Sequence, residues 1–254
     1  MRTLVVIPTY NERGNIEALV GEILALLPEL DILIVDDNSP DGTGQAADLL
    51  ARRTPRVRVL HRAGKQGLGT AYVAGFTYAL AEGYDRVVEM DSDFSHRPED
   101  LPAMLAATRW ADVVIGSRNV AGGQALNWSP VRHLISKGGS AFARVVLGMP
   151  IQDCTSGFKA FRRSAIERLD LAALGSNGYA FQLEVNYACV QSGQRIVEVP
   201  IVFPDRTRGT SKMSWGIVVE AVWLVLRLRT GLSRVAVQEL PDPVAAVEVH
   251  TANV

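Results

Sequence analysis

The sequence has few cysteines, no large excess of charge of either sign, and no apolar run of the length that spans a membrane. Its two cysteines, Cys154 and Cys189, form neither a metal-binding spacing nor a disulfide framework. The formal net charge is -1, which predicts no general surface for nucleic acid. The first apolar run, residues 4–7, is too short for a signal peptide. These absences favour a cytoplasmic protein with no nucleic-acid partner.

A glycine-rich dinucleotide fingerprint is also missing. The turn after the first apolar run lacks G-x-G-x-x-G, and the later pair Gly67 and Gly69 has no third glycine at the required spacing. A dinucleotide-binding fold is therefore disfavoured. The chain has 254 residues, 48% of them hydrophobic, and can bury a sizeable core.

Short β-branched runs alternate with helical patterns along the chain. The runs cover residues 4–7, 32–35, 57–60, 87–90 and 113–115, and helices are expected over 16–27, 43–53, 70–81, 98–108, 136–147 and 181–191. This alternation predicts an α/β fold with a central, mostly parallel sheet flanked by helices. We expect one domain over residues 1–230 and a loosely ordered tail over 231–254.

Two carboxylates, Asp91 and Asp93, follow the apolar run at residues 87–90. Open α/β sheets bind ligands at the carboxyl ends of their strands, and two close carboxylates repel unless a cation joins them. Hard divalent ions accept carboxylate and phosphate oxygens together, so the pair predicts a Mg²⁺ or Mn²⁺ site. Taken alone, the two acids could equally cap the loop and the helix after Pro98.

Two other strand ends carry groups suited to a nucleotide. Asp37 follows the second run, where a carboxylate accepts hydrogen bonds from a base or ribose, whereas Asp41 is more simply explained as a turn residue. The first run ends in PTYNE at residues 8–12, which offers the ring of Tyr10 and the carboxylate of Glu12. We expect these groups to lie near a nucleotide.

Basic residues occur near the ends of later elements. Arg118 follows the run at 113–115, Arg132 precedes a helix, and Arg206, Arg208 and Lys212 flank a Gly-Thr-Ser turn. Each could be a solvated surface charge. Their placement at element ends instead favours contacts with the phosphate groups of a ligand.

An apolar segment at about residues 213–229 is rich in Ile, Val, Leu and Trp but also contains Glu220 and Arg227. It is too short to span a bilayer, for which about 20 apolar residues are needed. Two interpretations remain open: a helix packed on the core, or an interfacial helix with Arg227 and Arg229 near lipid phosphates.

Together these motifs resemble family 2 glycosyltransferases of the GT-A fold, and specifically the polyprenol (dolichol) phosphate mannose synthases. The resemblance covers about residues 2–230. It rests on VIPTYNE at 6–12, VDDNSPDGT at 35–43, GLGTAY at 67–72, MDSDFSH at 90–96 and GSR at 116–118. Downstream it adds Trp128 with Arg132, Ser136 and Lys137, then TSGF at 155–158, GYAFQ at 178–182 and VPI at 199–201.

The resemblance implies a Rossmann-like domain that binds a nucleotide sugar. Its guanosine end would be held by Pro8, Tyr10, Glu12, Val35 and Asp37. The metal would be held by Asp91, Asp93 and Ser95, and the diphosphate would also meet Ser92 and Arg118. The implied catalytic set is Asp93, Arg118, Arg132, Arg206 and Lys212. Relatives often carry Ala at Ser92, Gln at Ser95 and Lys at Asn177.

The implied activity is an inverting transfer of mannose from GDP-mannose to a polyprenyl (dolichyl) phosphate. The acceptor is already an anion, so no strong general base is needed to form the nucleophile. The enzyme would work at the cytoplasmic face of a membrane, through peripheral contact or a membrane-protein partner. Two alternatives remain: a polyprenyl phosphate glucosyltransferase that uses UDP-glucose, and a non-catalytic nucleotide-sugar binding protein.

Overall fold

The computed structural model describes residues 1–176, 178–205, 215–233 and 235–238, and it confirms the expected α/β fold. The strands are β1 (Thr3–Thr9), β2 (Asp31–Asp36), β3 (Val57–His61), β4 (Arg86–Glu89), β5 (Val113–Ser117), β6 (Gln124–Ala125), β7 (Lys159–Arg162), β8 (Ile196–Pro200) and β9 (Val202–Phe203). The helices are α1 (Ile16–Leu26), α2 (Thr43–Arg53), α3 (Leu68–Ala81), α4 (Leu101–Ala107), α5 (Pro130–Leu147), α6 (Arg163–Ile166), α7 (Gly178–Gln191) and α8 (Trp215–Thr230).

The main sheet has seven strands in the order β3-β2-β1-β4-β7-β5-β8. All neighbouring pairs are parallel except those of β7, which runs antiparallel between β4 and β5. The strands β6 and β9 form a separate two-stranded ladder. Four strands, β6 to β9, were not expected from the periodicity. β7 is a four-residue strand that includes Lys159 and Arg162, so it lacks the apolar run that marked the other strands.

The core lies on both faces of the sheet because successive strand residues point in opposite directions. In β1, Leu4 and Val6 pack on the face covered by α3 and α7, while Val5 and Ile7 pack on the face covered by α1 and α4. The contact between β1 and α3 is close: a Cβ at Gly75 would lie 2.4 Å from a methyl carbon of Val6. Glycine at this position therefore lets α3 approach the sheet.

Several helix boundaries differ from the expected ones. α5 begins at Pro130, six residues before the expected start at residue 136, because the Ser129 hydroxyl accepts a hydrogen bond from the Arg132 amide at 3.3 Å. Proline at the first helical position completes this start. The expected helix over 98–108 divides into a 3-10 turn at Pro98–Asp100 followed by α4.

The C-terminal part of the described chain packs against the domain. Val225 and Leu228 of α8 are buried, and α8 contacts α5 and α7. Ala236 is also buried, and its carbonyl accepts a hydrogen bond from the Asp170 amide at 3.0 Å. The packed structure thus continues past the expected domain end at residue 230, while residues 239–254 of the expected tail lie outside the described residues. None of the described helices is long and apolar enough to cross a membrane.

Candidate active site

A cleft of about 310 Å³ lies at the carboxyl ends of β1, β2 and β4. It is lined by most of the residues expected at a nucleotide-sugar site: Pro8, Tyr10, Glu12, Asp37, Asp91, Ser92, Asp93, Arg118 and Arg132. Val35 and Ser95 are not part of the lining, and Val35 is fully buried in the core. Arg206, Arg208 and Lys212, together with Asn177, lie outside the described residues.

The backbone turns sharply where three strands reach the cleft. Asn11, Asn38 and Phe94 have positive φ angles of 61°, 54° and 63°, and they follow β1, β2 and β4. Asparagine tolerates this conformation, but a bulky residue such as phenylalanine is strained there, at a cost of about 1–3 kcal/mol. The turn at Phe94 separates Asp93 from Ser95, so the strain lies within the segment that carries the acidic pair.

Neighbouring side chains and backbone groups fix both aspartates. The hydroxyl of Tyr72 donates to Oδ1 of Asp91 at 3.0 Å. Oδ1 of Asp93 accepts hydrogen bonds from the amide and the hydroxyl of Ser95. Ser95, which was expected among the metal ligands, is buried, and its hydroxyl is bound to Asp93. Its observed contact therefore orients a carboxylate.

The acidic pair suits a divalent cation bound together with a substrate. In the described part of the chain, no three His, Cys, Asp or Glu side chains gather as a metal cage. Asp91 and Asp93 nevertheless both line the cleft. Magnesium is commonly bound by one or two carboxylates, with water and substrate phosphates at its other positions. Two carboxylates on an open cleft fit such an ion.

His96, which sequence reasoning did not single out, supports the same segment from below. It is buried and stacks on Phe158 with a ring separation of 4.7 Å. Burial lowers the pKa of His96, which favours a neutral ring. Its Nδ1 lies 2.9 Å from the Asp91 amide and accepts its hydrogen bond, so the ring proton is on Nε2. The only signal in the sequence was its place in the MDSDFSH segment.

The β1 and β2 side of the cleft combines a ring with a cation. Nζ of Lys65 lies 4.4 Å from the centre of the Tyr10 ring. Lys65 also lines the cleft and was not expected there. Asp37 binds Arg62 and accepts hydrogen bonds from the amides of Gln66 at 3.0 Å and Gly67 at 3.2 Å. Asp37 therefore holds the loop that precedes α3 and borders the cleft.

On the opposite side, Arg118 is bound to a buried acid. Its Nε and Nη2 donate to the two carboxylate oxygens of Asp153 at 2.8 and 2.6 Å, and Nη2 also donates to Thr155. Burial acts to raise the pKa of Asp153, but the charge of Arg118 and the hydrogen bonds from Arg118 and Thr155 together lower that pKa. Arg118 also lies 5.2 Å from the ring centre of Trp128. Its charge is thus largely compensated within the protein.

Arg132 is held differently. Its Nη1 donates to Asp205 at 2.6 Å, and its guanidinium lies 4.0 Å from the centre of the Trp128 ring. Its Nε is buried and has no hydrogen-bond partner among the described residues. A second cavity of about 180 Å³ adjoins this region, with Arg118, Trp128, His133, Ser136 and Lys137 in its lining. Arg118 therefore borders both spaces, whereas Arg132 lines only the cleft.

The sequence matches a known family and several characterised proteins. The model of "Glycosyl transferase family 2" matches residues 4–170. The chain is 49% identical over 243 residues to the undecaprenyl-phosphate mannosyltransferase of Micrococcus luteus, across 91% of this chain and 100% of that protein. It is 48% identical over 226 residues to the polyprenol monophosphomannose synthase of Mycolicibacterium smegmatis, across 88% of this chain and 85% of that protein.

The dolichol-phosphate mannosyltransferase of Pyrococcus furiosus is 37% identical over 233 residues, which span 90% of this chain and 64% of that protein. Among solved structures, the chain resembles the glucosyl-3-phosphoglycerate synthase of Mycobacterium tuberculosis crystallised with Mn²⁺ and UDP. The TM-score is 0.67 at 21% identity, over 95% of this chain and 81% of that one. At this identity, the likeness to the glucosyl-3-phosphoglycerate synthase concerns the fold alone.

Proposed function

This chain belongs to glycosyltransferase family 2, among the polyprenol-phosphate mannosyltransferases of GT-A fold, and on that premise we propose that it transfers mannose from GDP-mannose to a polyprenyl phosphate. A phosphate oxygen of the acceptor attacks the anomeric carbon while the bond from that carbon to GDP breaks. GDP leaves with the electron pair. One displacement inverts the anomeric centre, so an α-linked donor gives a β-linked mannosyl phosphate.

The observation that carries this proposal is the position of Asp91 and Asp93 between two unlike parts of one cleft. On the β1 and β2 side, Tyr10 and Lys65 offer a flat, cationic surface to a nucleoside. On the other side, Arg118 and Arg132 offer cations to anionic groups. A Mg²⁺ or Mn²⁺ ion held by the two aspartates would neutralise charge on the departing diphosphate.

The acceptor side needs to position an anion more than to activate it. A phosphate oxygen is already a nucleophile, so proton removal is not part of this step. Arg132 suits the positioning role because its buried Nε lacks a partner within the described residues. Arg206 and Lys212, outside the described residues, complete the proposed phosphate contacts. Alignment and charge neutralisation then provide most of the rate enhancement.

We also propose that the enzyme works as a peripheral protein at the cytoplasmic face of a membrane, where a polyprenyl tail resides. On α8, Val219, Val222, Trp223 and Leu226 are exposed at helical spacing, opposite the buried face of this helix. The neighbouring α5 exposes a similar apolar stripe: Val131, Leu134, Phe142 and Val145. Such stripes suit insertion into the headgroup boundary, with the exposed Arg227 and Arg229 near lipid phosphates.

The test is a transfer assay that crosses donors with acceptors. GDP-mannose and UDP-glucose are each supplied with a long-chain polyprenyl phosphate, with Mg²⁺, Mn²⁺ or a chelator, and the product anomer is assigned by NMR. We expect β-mannosyl phosphate from GDP-mannose only when a divalent metal is present. Faster transfer from UDP-glucose would identify a glucosyltransferase instead. Nucleotide-sugar binding without turnover on any acceptor would point to the non-catalytic alternative.

A further inference from the structure

Three polar side chains are buried beneath the cleft, and the reaction described above uses none of them. Glu89 of β4 and Lys159 of β7 are cross-strand partners, both 0% exposed, with 3.8 Å between Oε2 and Nζ. Gln182 of α7 is 2% exposed, and its Oε1 accepts a hydrogen bond from Nζ of Lys159. A buried ion pair contributes little net stability relative to apolar packing, because both charges must be desolvated. Its presence here requires another reason.

The lysine fixes the orientation of the glutamine amide. An ammonium group only donates hydrogen bonds, so the amide oxygen of Gln182 must face Lys159 and the amide nitrogen must point away from it. That nitrogen carries two N–H groups, of which the nearby Glu89 carboxylate can accept one. Nε2 is buried and has no partner at hydrogen-bond geometry within the described residues. One N–H of the Gln182 amide is therefore available to donate a hydrogen bond to a ligand.

The space in front of this amide belongs to the cleft. Gln182 and Gly157 both line it. A Cβ at Gly157 would lie 3.4 Å from Nε2 of Gln182 and 3.7 Å from Cε1 of His96, where it would fill the approach to the amide. Glycine at position 157 thus keeps a path open between the cleft and a buried donor.

The sheet order indicates which part of a nucleotide sugar reaches this point. The strands β1 and β2, which carry the Tyr10 side of the cleft, lie on one side of β4, and β7 lies on the other. Gly157 lies two residues before the start of β7. If the diphosphate binds at Asp91 and Asp93 beyond β4, a nucleoside on the β1 side leaves the sugar on the β7 side. The Gln182 amide therefore faces the sugar.

We propose that Gln182 recognises the transferred hexose, with Nε2 donating a hydrogen bond to one of its hydroxyl oxygens. This inference rests on the proposed function, since it assumes a nucleotide diphosphate sugar in the cleft. Lys159 and Glu89 hold the amide in the orientation that this contact requires. The contact adds a sugar-specific interaction that the nucleoside and the metal cannot provide.

The test compares GDP-mannose with GDP, each titrated by calorimetry at fixed Mn²⁺. Gln182→Met keeps the side-chain length and removes both polar groups. We expect it to weaken GDP-mannose binding about tenfold, the effect of one hydrogen bond, and to leave GDP binding unchanged. Gln194→Met is the matched control, because Gln194 is a buried glutamine bound to the Ala165 carbonyl and is not part of the cleft lining. An equal change for both ligands, or none, would overturn the inference.

A second measurement uses the wild-type chain and needs no variant to fold. Each monodeoxy analogue of GDP-mannose is titrated in turn, and one of them should bind about tenfold more weakly than GDP-mannose. If all analogues bind equally well, Gln182 has no hydroxyl partner. Should the wild-type chain fail to use GDP-mannose at all, the proposed donor is wrong. The wild-type chain and Gln182→Met are then compared with UDP and UDP-glucose as ligands. Weaker binding of UDP-glucose alone would still support the contact between Gln182 and the sugar, whereas equally weaker binding of both ligands would reject it.

Discussion

Arg118 and Asp153 form a buried, two-point ion pair, with Nε–Oδ2 and Nη2–Oδ1 distances of 2.8 and 2.6 Å. The same carboxylate oxygen Oδ2 also accepts a hydrogen bond from the Arg118 amide at 2.9 Å. Asp153 therefore holds both the backbone and the side chain of Arg118 at the edge of the cleft. An arginine fixed in this way is preorganised for a ligand, but it brings little uncompensated charge.

The first prediction concerns this pair. Asp153→Asn should destabilise the fold by roughly 3–5 kcal/mol, because it leaves the buried Arg118 charge without its partner. Asp205→Asn is the matched control: Asp205 binds Arg132 but is 41% exposed, so the loss should be at most about 1 kcal/mol. Chemical denaturation of the three proteins at neutral pH measures both values. Similar losses for the two variants would contradict a special role for the buried pair.

The pH dependence of stability follows from the same contact. Arg118 keeps the folded-state pKa of Asp153 below its usual value, so the carboxylate contributes stability above the unfolded pKa of about 3.9. That contribution is lost as the pH falls through the folded pKa. The wild-type chain should therefore lose stability as the solution is acidified below about pH 5, and Asp153→Asn should show a shallower loss over the same range. Parallel curves would mean that other carboxylates dominate acid unfolding.

The second prediction concerns the metal. Asp93→Ala removes a proposed metal ligand and leaves phosphate charge uncompensated, which should cost on the order of 4 kcal/mol, about a thousandfold in turnover. Asp48→Ala, at an exposed residue of α2 that pairs with His61, should retain wild-type turnover. Binding of Mn²⁺ measured by electron paramagnetic resonance distinguishes a lost ligand from a misfolded chain. Near-normal turnover of folded Asp93→Ala would move the metal site elsewhere.

The third prediction concerns Tyr72, which contacts Asp91 from beneath the cleft. Tyr72→Phe removes only the hydroxyl that donates to Asp91, and groups that orient metal ligands typically change metal affinity by about 10- to 100-fold. We expect weaker Mn²⁺ binding at the lower end of that range. Tyr78→Phe, on the same helix but outside the cleft lining, should leave Mn²⁺ affinity unchanged. Equal affinities for both variants would show that Asp91 keeps its position without Tyr72.

The fourth prediction concerns the membrane. From the sequence, Trp223 and Leu224 would be the residues to change, but Leu224 packs against the core and Leu226 is the exposed neighbour. Trp223→Ser combined with Leu226→Ser should lower binding to anionic liposomes at least tenfold and slow transfer to long-chain acceptors, while sparing a short, water-soluble prenyl phosphate.

Trp110→Ser provides the control for the membrane experiment, because Trp110 is 54% exposed but lies after α4, away from α5 and α8 in the chain. Its liposome binding should equal that of the wild type. Equal loss on long and short acceptors in the double variant would reject the membrane role of α8. If the wild-type chain itself does not bind vesicles, a membrane-protein partner becomes the explanation of how it reaches its lipid.

The parts of the site that could be predicted are those built from local sequence. Strand ends follow from apolar runs, and the position of Asp91 and Asp93 follows from the end of the fourth run. The early start of α5 also had a local signal, since serine followed by proline at positions 129 and 130 is a common helix start. Such features depend on a few adjacent residues.

The parts that could not be predicted depend on contacts between distant segments. Lys159 is a charged residue in a four-residue strand, and only its pairing with β4 makes it a buried partner of Glu89. Gln182 is one of several polar residues of α7, and only its contact with Lys159 determines the direction of its amide. Asp153 gives no local hint that it binds Arg118, which lies 35 residues earlier. Periodicity and spacing carry no information on such pairs.

The order of strands has a consequence for how this molecule could diversify. The adjacent strands β3, β2, β1 and β4 all come from residues 3–89, whereas β7, β5 and β8 come from residues 113–200. The border between the two stretches of sequence coincides with the acidic pair in the middle of the cleft. Insertions in the loops after residue 113 can therefore reshape the sugar and acceptor side of the pocket without changing the pairing among the four strands that carry the nucleotide side. The border between β4 and β7 thus separates a part of the cleft that can stay constant from a part that can change with the substrate.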